Sequence, residues 1–214
     1  MKRIVVVCAG GQGAIVADIL QRAHEAGSDA VPIGFVDDTP GAVGTAVLGL
    51  DVLAPIAALK DTAHDAVIVA LGDNHARRAL TERLLAAGER LATAIHPRAS
   101  IAPSATIGEG SMISAGAVVT PRAVIGRGVI INTNASVDHD SVVGDFAHVS
   151  AGATVGARCH IGAEALIAIG ATVVSMMTVG ARTIIGSGAV VVSPIPAGVV
   201  AFGVPARIRP DRNS

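Results

Sequence analysis

Asp138, His139 and Asp140 follow one another in the chain, setting an imidazole between two carboxylates. Imidazole is the side chain whose ordinary pKa lets it take a proton near neutrality, and an adjacent carboxylate fixes its tautomer and raises its basicity. The trio is therefore a candidate general base. Near the N-terminus, Ala9-Gly10-Gly11-Gln12-Gly13 forms a glycine turn that can bring backbone N–H groups to a phosphate at the start of a helix. Asp37 falls where a ribose-binding acid usually stands, although Cys8 replaces the first glycine of the dinucleotide fingerprint. A tight turn without a ligand is the competing reading of the same residues.

The elements that carry these groups follow from periodicity. From Ile95 to Val191 an isoleucine or valine stands at every sixth residue, and the residue four places later is nearly always small. This spacing predicts a β-solenoid: a three-faced prism with one short strand per hexad and three hexads per coil. The branched residue fills the interior. Glycine, asparagine or aspartate just after it, as at Gly108, Asn132, Asp138 and Gly144, is expected to accept the turn. Residues eighteen apart become vertical neighbours at about 4.8 Å. His139 falls on a corner, where a histidine reads either as a solvated turn residue or as a base. His148 lies nine residues on, half a coil away, and so on a different side of the prism.

Residues 1–94 alternate strand and helix. Strands are predicted at 2–8, 31–36, 66–71 and 91–95, and helices at 14–26 and 74–87, which makes a Rossmann-like half domain suited to a mononucleotide-sized ligand. Its strand ends, Asp37-Asp38 and Gly72-Asp73-Asn74, finish at one sheet edge. The formal net charge is −1, with no basic run, no tyrosine and no tryptophan, which argues against nucleic-acid binding. The apolar start of the chain is too short and too glycine-rich for a signal peptide, and two isolated cysteines give no disulfide framework. Cys159 occupies a small inner hexad position, so a core role is expected. These features point to the cytoplasm.

The turn GGQG, the strand end Val36-Asp37-Asp38, Leu71-Gly72-Asp73-Asn74, the stretch INTNASVDHDSVVGDFAHVSAG from Ile131 to Gly152, and Phe202-Gly203-Val204-Pro205-Ala206 run through nearly the whole chain. Together they resemble the sialic-acid O-acetyltransferase-like sugar acyltransferases, in particular the bacterial nucleotide-linked 4-amino-sugar N-acetyltransferases. The resemblance implies a left-handed β-helix over 95–197, a tail at 198–214 near the coenzyme, a homotrimer with active sites between subunits, acetyl-CoA as donor, and a nucleotide-linked amino sugar held by the N-terminal domain. It also implies residue roles. His139 matches the catalytic base and Asp140 the acid behind it, usually glutamate in close relatives. Asn132, His148, Ile169 and Ser187 match donor contacts, with glycine at the Ser187 position in a close relative. Gly10, Gly11, Gln12, Asp37, Asp38 and Gly72 match nucleotide-sugar contacts, with Gln12 where histidine is often found.

A base at His139 fits acetyl transfer from a thioester to an amine, because the attacking nitrogen must lose a proton. Ile169 and Ser187 differ by eighteen and should stack, with His148 close to their column. A sugar or sialic acid O-acetyltransferase is the alternative function. A metal-dependent hydratase of the γ-carbonic anhydrase type would need closely spaced metal histidines, and no two in the repeats are fewer than nine apart; no metal is expected. A non-catalytic solenoid would leave the N-terminal domain and Asp138-His139-Asp140 idle.

Overall fold

Lys2–Val7 (β1) buries Ile4, Val5, Val6 and Val7 completely, as a central parallel strand covered on both faces must. In the computed structural model, which describes residues 1–209, the chain divides into two compact units, Met1–Pro97 and Arg98–Ser214. The end of the expected tail, 210–214, lies outside the described residues. In the first unit, Gly11–Glu25 (α1) buries Val16, Ala17, Ile19 and Leu20. It leads to Ala30–Val36 (β2), parallel to β1. Ala46–Val47 (β3) and Leu50–Ala54 (β4) form an antiparallel hairpin, and β4 extends the sheet along β2. Ala66–Val69 (β5) pairs with the other side of β1, and Asn74–Ala86 (α2) begins where the Asp73 carboxylate accepts the Ala76 N–H at 2.7 Å.

The strand order is β3-β4-β2-β1-β5. The connection therefore reverses direction between β1 and β5, which opens a crevice at their carboxyl ends. The β3–β4 hairpin was not expected from the sequence, because its turn puts Leu48 and Gly49 at φ 51° and 76°. Such a turn is ordinarily signalled by Asn-Gly or Asp-Gly. The strand expected at 91–95 is extended only at Ala94–Ile95, with Leu91 bridging Val67.

The second unit is a left-handed parallel β-helix. Strands two residues long pair at a register of eighteen: Val118 with Ser136, Val124 with Val142, and Ile130 with His148. The first face runs from Ser100–Ile101 to Val190–Val191, the second from Thr106–Ile107 to Thr178–Val179, and the third continues through Ile184–Ile185 to Val200–Phe202. Ile131, Val137, Val143, Val149, Val155 and Ile161 are each fully buried on the prism axis. Ile131→Ala removes methyl groups from an interior without room to collapse, so it should lower stability by about 2–5 kcal/mol. Urea unfolding of the full chain checks this.

The reason expected for the glycines is corrected by the backbone. Gly108, Gly126, Gly144, Gly162 and Gly180 follow the branched residue but are absent from the positions with positive φ. Their lack of a side chain serves close approach instead: a Cβ on Gly144 would lie 2.7 Å from the Ala163 nitrogen of the next coil. The left-handed turn residue stands three places after the branched one, at Gly110, Gly116, Arg122, Gly128, Asn134, Asp140 and onward.

Candidate active site

In the first unit, a cavity of about 520 Å³ opens at the carboxyl ends of β1, β2 and β5. Gly10, Gly11, Gln12, Asp37, Asp38 and Gly72 all line it. A Cβ on Gly10, Gly11 or Gly72 would meet nothing within 4 Å, and none of the three has a positive φ. The fold therefore does not itself require glycine at these positions; what glycine does is leave the backbone open to the cavity. Gly13 differs, because a Cβ there would strike the Cys8 carbonyl, and its absence lets α1 pack against the end of β1. Gly10 caps α1 without a side-chain hydrogen bond, and the first turn holds no acid. The N–H groups and positive end of that helix thus face the cavity, which Asp37 and Asp38 also line.

The aspartates at the cavity are also structural. Asp37 accepts the Ala9 N–H at 2.7 Å through Oδ2 and the Thr39 N–H at 2.7 Å through Oδ1, so it ties the glycine turn to the end of β2. Burial raises its pKa, but these hydrogen bonds prevail and hold it below the ordinary value. Asp38 accepts the Ile56 N–H at 2.8 Å. Cys8, at φ 79°, adopts the backbone a glycine would favour. Burial, and then Asp37 and Asp38, push its thiol up to about 11.

In the second unit, His139 occupies the corner between the first and second faces, with its side chain 40% exposed. Its Nδ1 lies 2.7 Å from Asp140 Oδ2. An ionised carboxylate only accepts, so Nδ1 carries the proton and, in the neutral ring, Nε2 holds the lone pair. Arg122, and after it His139, hold the Asp140 carboxyl far below its usual range. Asp138 Oδ1 accepts the His139 N–H at 2.7 Å and the Thr120 hydroxyl at 3.1 Å, which braces the backbone rather than the ring.

The four donor-contact candidates share another side of the prism. Asn132 follows a third-face strand, and its Nδ2 lies 3.2 Å from Nε2 of His148, which is on the third face of the next coil. Ile169 and Ser187 stand on the corner after that face, one coil apart, with the Gly188 N–H donating to the Ile169 carbonyl at 2.9 Å. Ile169 is 63% exposed, which leaves an apolar surface for a slender ligand. His148 itself pairs with Leu166 on the face, and the column continues downward into Ala151, three residues after His148 in the same coil. Within one chain, His139 and the donor column lie on different corners.

Two residues escaped the sequence reading. Arg122 Nε donates to Asp140 Oδ1 at 2.6 Å, and its Nη2 donates to Oδ2 at 2.9 Å. The eighteen-residue spacing could have found this pair. Arg77 is 1% exposed and donates to the Leu71 carbonyl at 2.8 Å and to Asn74 Oδ1 at 2.8 Å, shaping the cavity rim. Its position inside a helix gave no sign of this. Cys159 is buried, with Sγ donating to the Val174 carbonyl at 3.1 Å, which fits the core role expected for it. Among the described residues no cluster of three potential metal ligands occurs, and no helix is long and apolar enough to cross a membrane.

Residues 3–84 match the family model described as the PglD N-terminal domain. No curated protein matches the chain at a significant level. Among solved structures, it is 34% identical to a histidine-to-asparagine mutant of perosamine N-acetyltransferase from Caulobacter crescentus in complex with CoA and GDP-perosamine, with 99% of this chain and 98% of that one covered and a TM-score of 0.92. The acetyltransferase domain of PglB from Neisseria gonorrhoeae, in complex with acetyl coenzyme A, is 37% identical over 97% of this chain and 99% of its own, with a TM-score of 0.89. WeeI from Acinetobacter baumannii is 28% identical over 98% of this chain and 100% of its own, with a TM-score of 0.79. The likeness in sequence and fold takes in both units, and the chain belongs to the PerB-, PglD- and WeeI-like family of nucleotide-sugar N-acetyltransferases.

Proposed function

We propose that this protein transfers the acetyl group of acetyl-CoA to the amine of a nucleotide-linked 4-amino-4-deoxy sugar, with His139 as general base. The observation that carries the reading is the His139–Asp140 pair on an exposed corner, with Nε2 free to accept a proton. The amine nitrogen attacks the thioester carbonyl, a C–N bond forms, the C–S bond breaks, and the nitrogen's proton passes to His139 Nε2. The proton then returns to the departing sulfur, which leaves as CoA thiol. Direct attack needs no acetyl-enzyme. Cys159 is buried, and the Cys8 thiol stays protonated at neutral pH, so neither offers a ready thiolate.

The donor is read along Asn132, His148, Ile169 and Ser187, whose shared side of the prism suits an extended pantetheine arm. The nucleotide sugar is read at the glycine-lined cavity, with phosphate on the α1 N-terminus around Gly10, Gly11 and Gln12, and with Asp37, Asp38 and Gly72 around the ribose. Relatives seen with CoA, acetyl-CoA and GDP-perosamine support both ligand classes. The reaction is placed in the cytoplasm, where acetyl-CoA and nucleotide sugars meet, and two unpaired cysteines suit that compartment.

The working form is read as a homotrimer whose sites lie between subunits. Base and donor column stand on different corners of one prism, and a neighbouring copy would let them meet. Sedimentation at micromolar concentration should give a trimer. A monomer that still turns over would remove the between-subunit site.

A further inference from the structure

We infer that Arg122 is a positioning residue for acetyl transfer, its guanidinium locking the Asp140 carboxylate that orients the base. This rests on His139 acting as the base. Arg122 and Asp140 are the left-handed turn residues of successive coils, each at φ 60°, so the solenoid delivers the two side chains to the same corner one level apart. The Arg122 N–H donates to Ser104 Oγ at 3.2 Å, and the Asp140 N–H donates to the Pro121 carbonyl at 3.3 Å, which fixes both backbones. The guanidinium grips both carboxylate oxygens, at 2.6 Å and 2.9 Å, while Oδ2 also takes the His139 Nδ1 contact at 2.7 Å.

A carboxylate held at both oxygens cannot rotate about its own bond, so the direction in which it meets the imidazole is set by Arg122. The Arg122 side chain is 64% exposed, and an ion pair so exposed contributes little to folding. The other charged groups around the ring do not replace it. Asp138 is occupied by the His139 N–H and the Thr120 hydroxyl, and Arg158 of the next coil meets His139 through its backbone N–H, which donates to the His139 carbonyl at 3.0 Å.

Arg122 also neutralises part of the field that Asp140 exerts on the imidazole, which separates positioning from a merely structural role. Loss of the guanidinium leaves the carboxylate's full charge on the ring, stabilises the imidazolium, and moves the acid limb of kcat/KM to higher pH. Asp140→Asn removes the carboxylate charge and moves that limb to lower pH. The experiment measures pH profiles of Arg122→Ala, Arg122→Lys, Asp140→Asn and His139→Ala, using acetyl-CoA and a nucleotide-linked 4-amino sugar that the wild-type protein turns over.

Arg122→Ala should lower kcat about 5- to 50-fold, below the 100-fold that a full ångström of misplacement costs. KM for both substrates and the thermal midpoint should hold, and the acid limb should rise. Arg122→Lys should restore the limb but only part of kcat, because it keeps the charge without the fork. Wild-type kcat and pH profile in Arg122→Ala, or a loss confined to KM, would overturn the inference while leaving the base reading intact. Full turnover in His139→Ala would instead overturn the base reading, and this inference with it.

Discussion

His139→Ala should lower turnover by about 100- to 10,000-fold while the protein stays folded, because general-base catalysis contributes on that order. The corner is open and the ring fills no core, so no cavity forms. Its Nδ1 proton is committed to Asp140, and only Nε2 is left to accept a proton from the attacking amine. Truncation should leave KM for acetyl-CoA near its wild-type value, since the residues read as donor contacts are Asn132, His148, Ile169 and Ser187 rather than His139. Circular dichroism and steady-state kinetics on the same preparation check both halves. Near-normal turnover in a folded protein, or a covalent acetyl adduct on the native protein, would show the mechanism to be wrong.

Asp37→Ala should raise the acceptor KM about 10- to 100-fold and leave that for acetyl-CoA unchanged. The carboxylate holds the N–H groups of Ala9 and Thr39, each at 2.7 Å, and a hydrogen bond to a charged group is worth about 1.5–3 kcal/mol. Without it the glycine turn loses its tie to β2, and the cavity loses the acid read as the ribose contact. The sign of the pH dependence follows from the lowered pKa of Asp37. Its stabilisation is full above the unfolded carboxylate value near ~4 and fades as pH falls through the lower folded value. Urea midpoints of the wild type and Asp37→Asn should therefore differ at pH 7 and converge in acid. Equal loss of affinity for both ligands would contradict the division of binding between the two units.

The solenoid was legible because its cause is local and repeated. A branched residue such as Ile131 must reach the axis, and the corner must close, once in every six residues. The same spacing placed Asp140 at the corner beside His139. It also contained the Arg122–Asp140 pair, whose members are eighteen residues apart. The glycine cavity was legible from the strand ends. The dual role of Asp37 was not, because its partners are backbone N–H groups with no sequence signature. The hairpin at Leu48-Gly49 and the buried Arg77 were hidden for similar reasons: one uses an unusual turn residue, and the other is a charged side chain in a helix, which carries no sequence signal of burial. The function of the post-branch glycines was misread because φ and close approach both select glycine, and only the geometry separates them.

CoA thiol release from acetyl-CoA, measured against matched nucleotide-linked sugars bearing an amine or a hydroxyl at C4, tests the central claim most directly. The account predicts thiol release that requires the amine, an N-acetylated product by mass spectrometry, and loss of both in His139→Ala. Thiol release with the hydroxyl sugar equal to that with the amine, or none with any nucleotide-linked amino sugar, would contradict it.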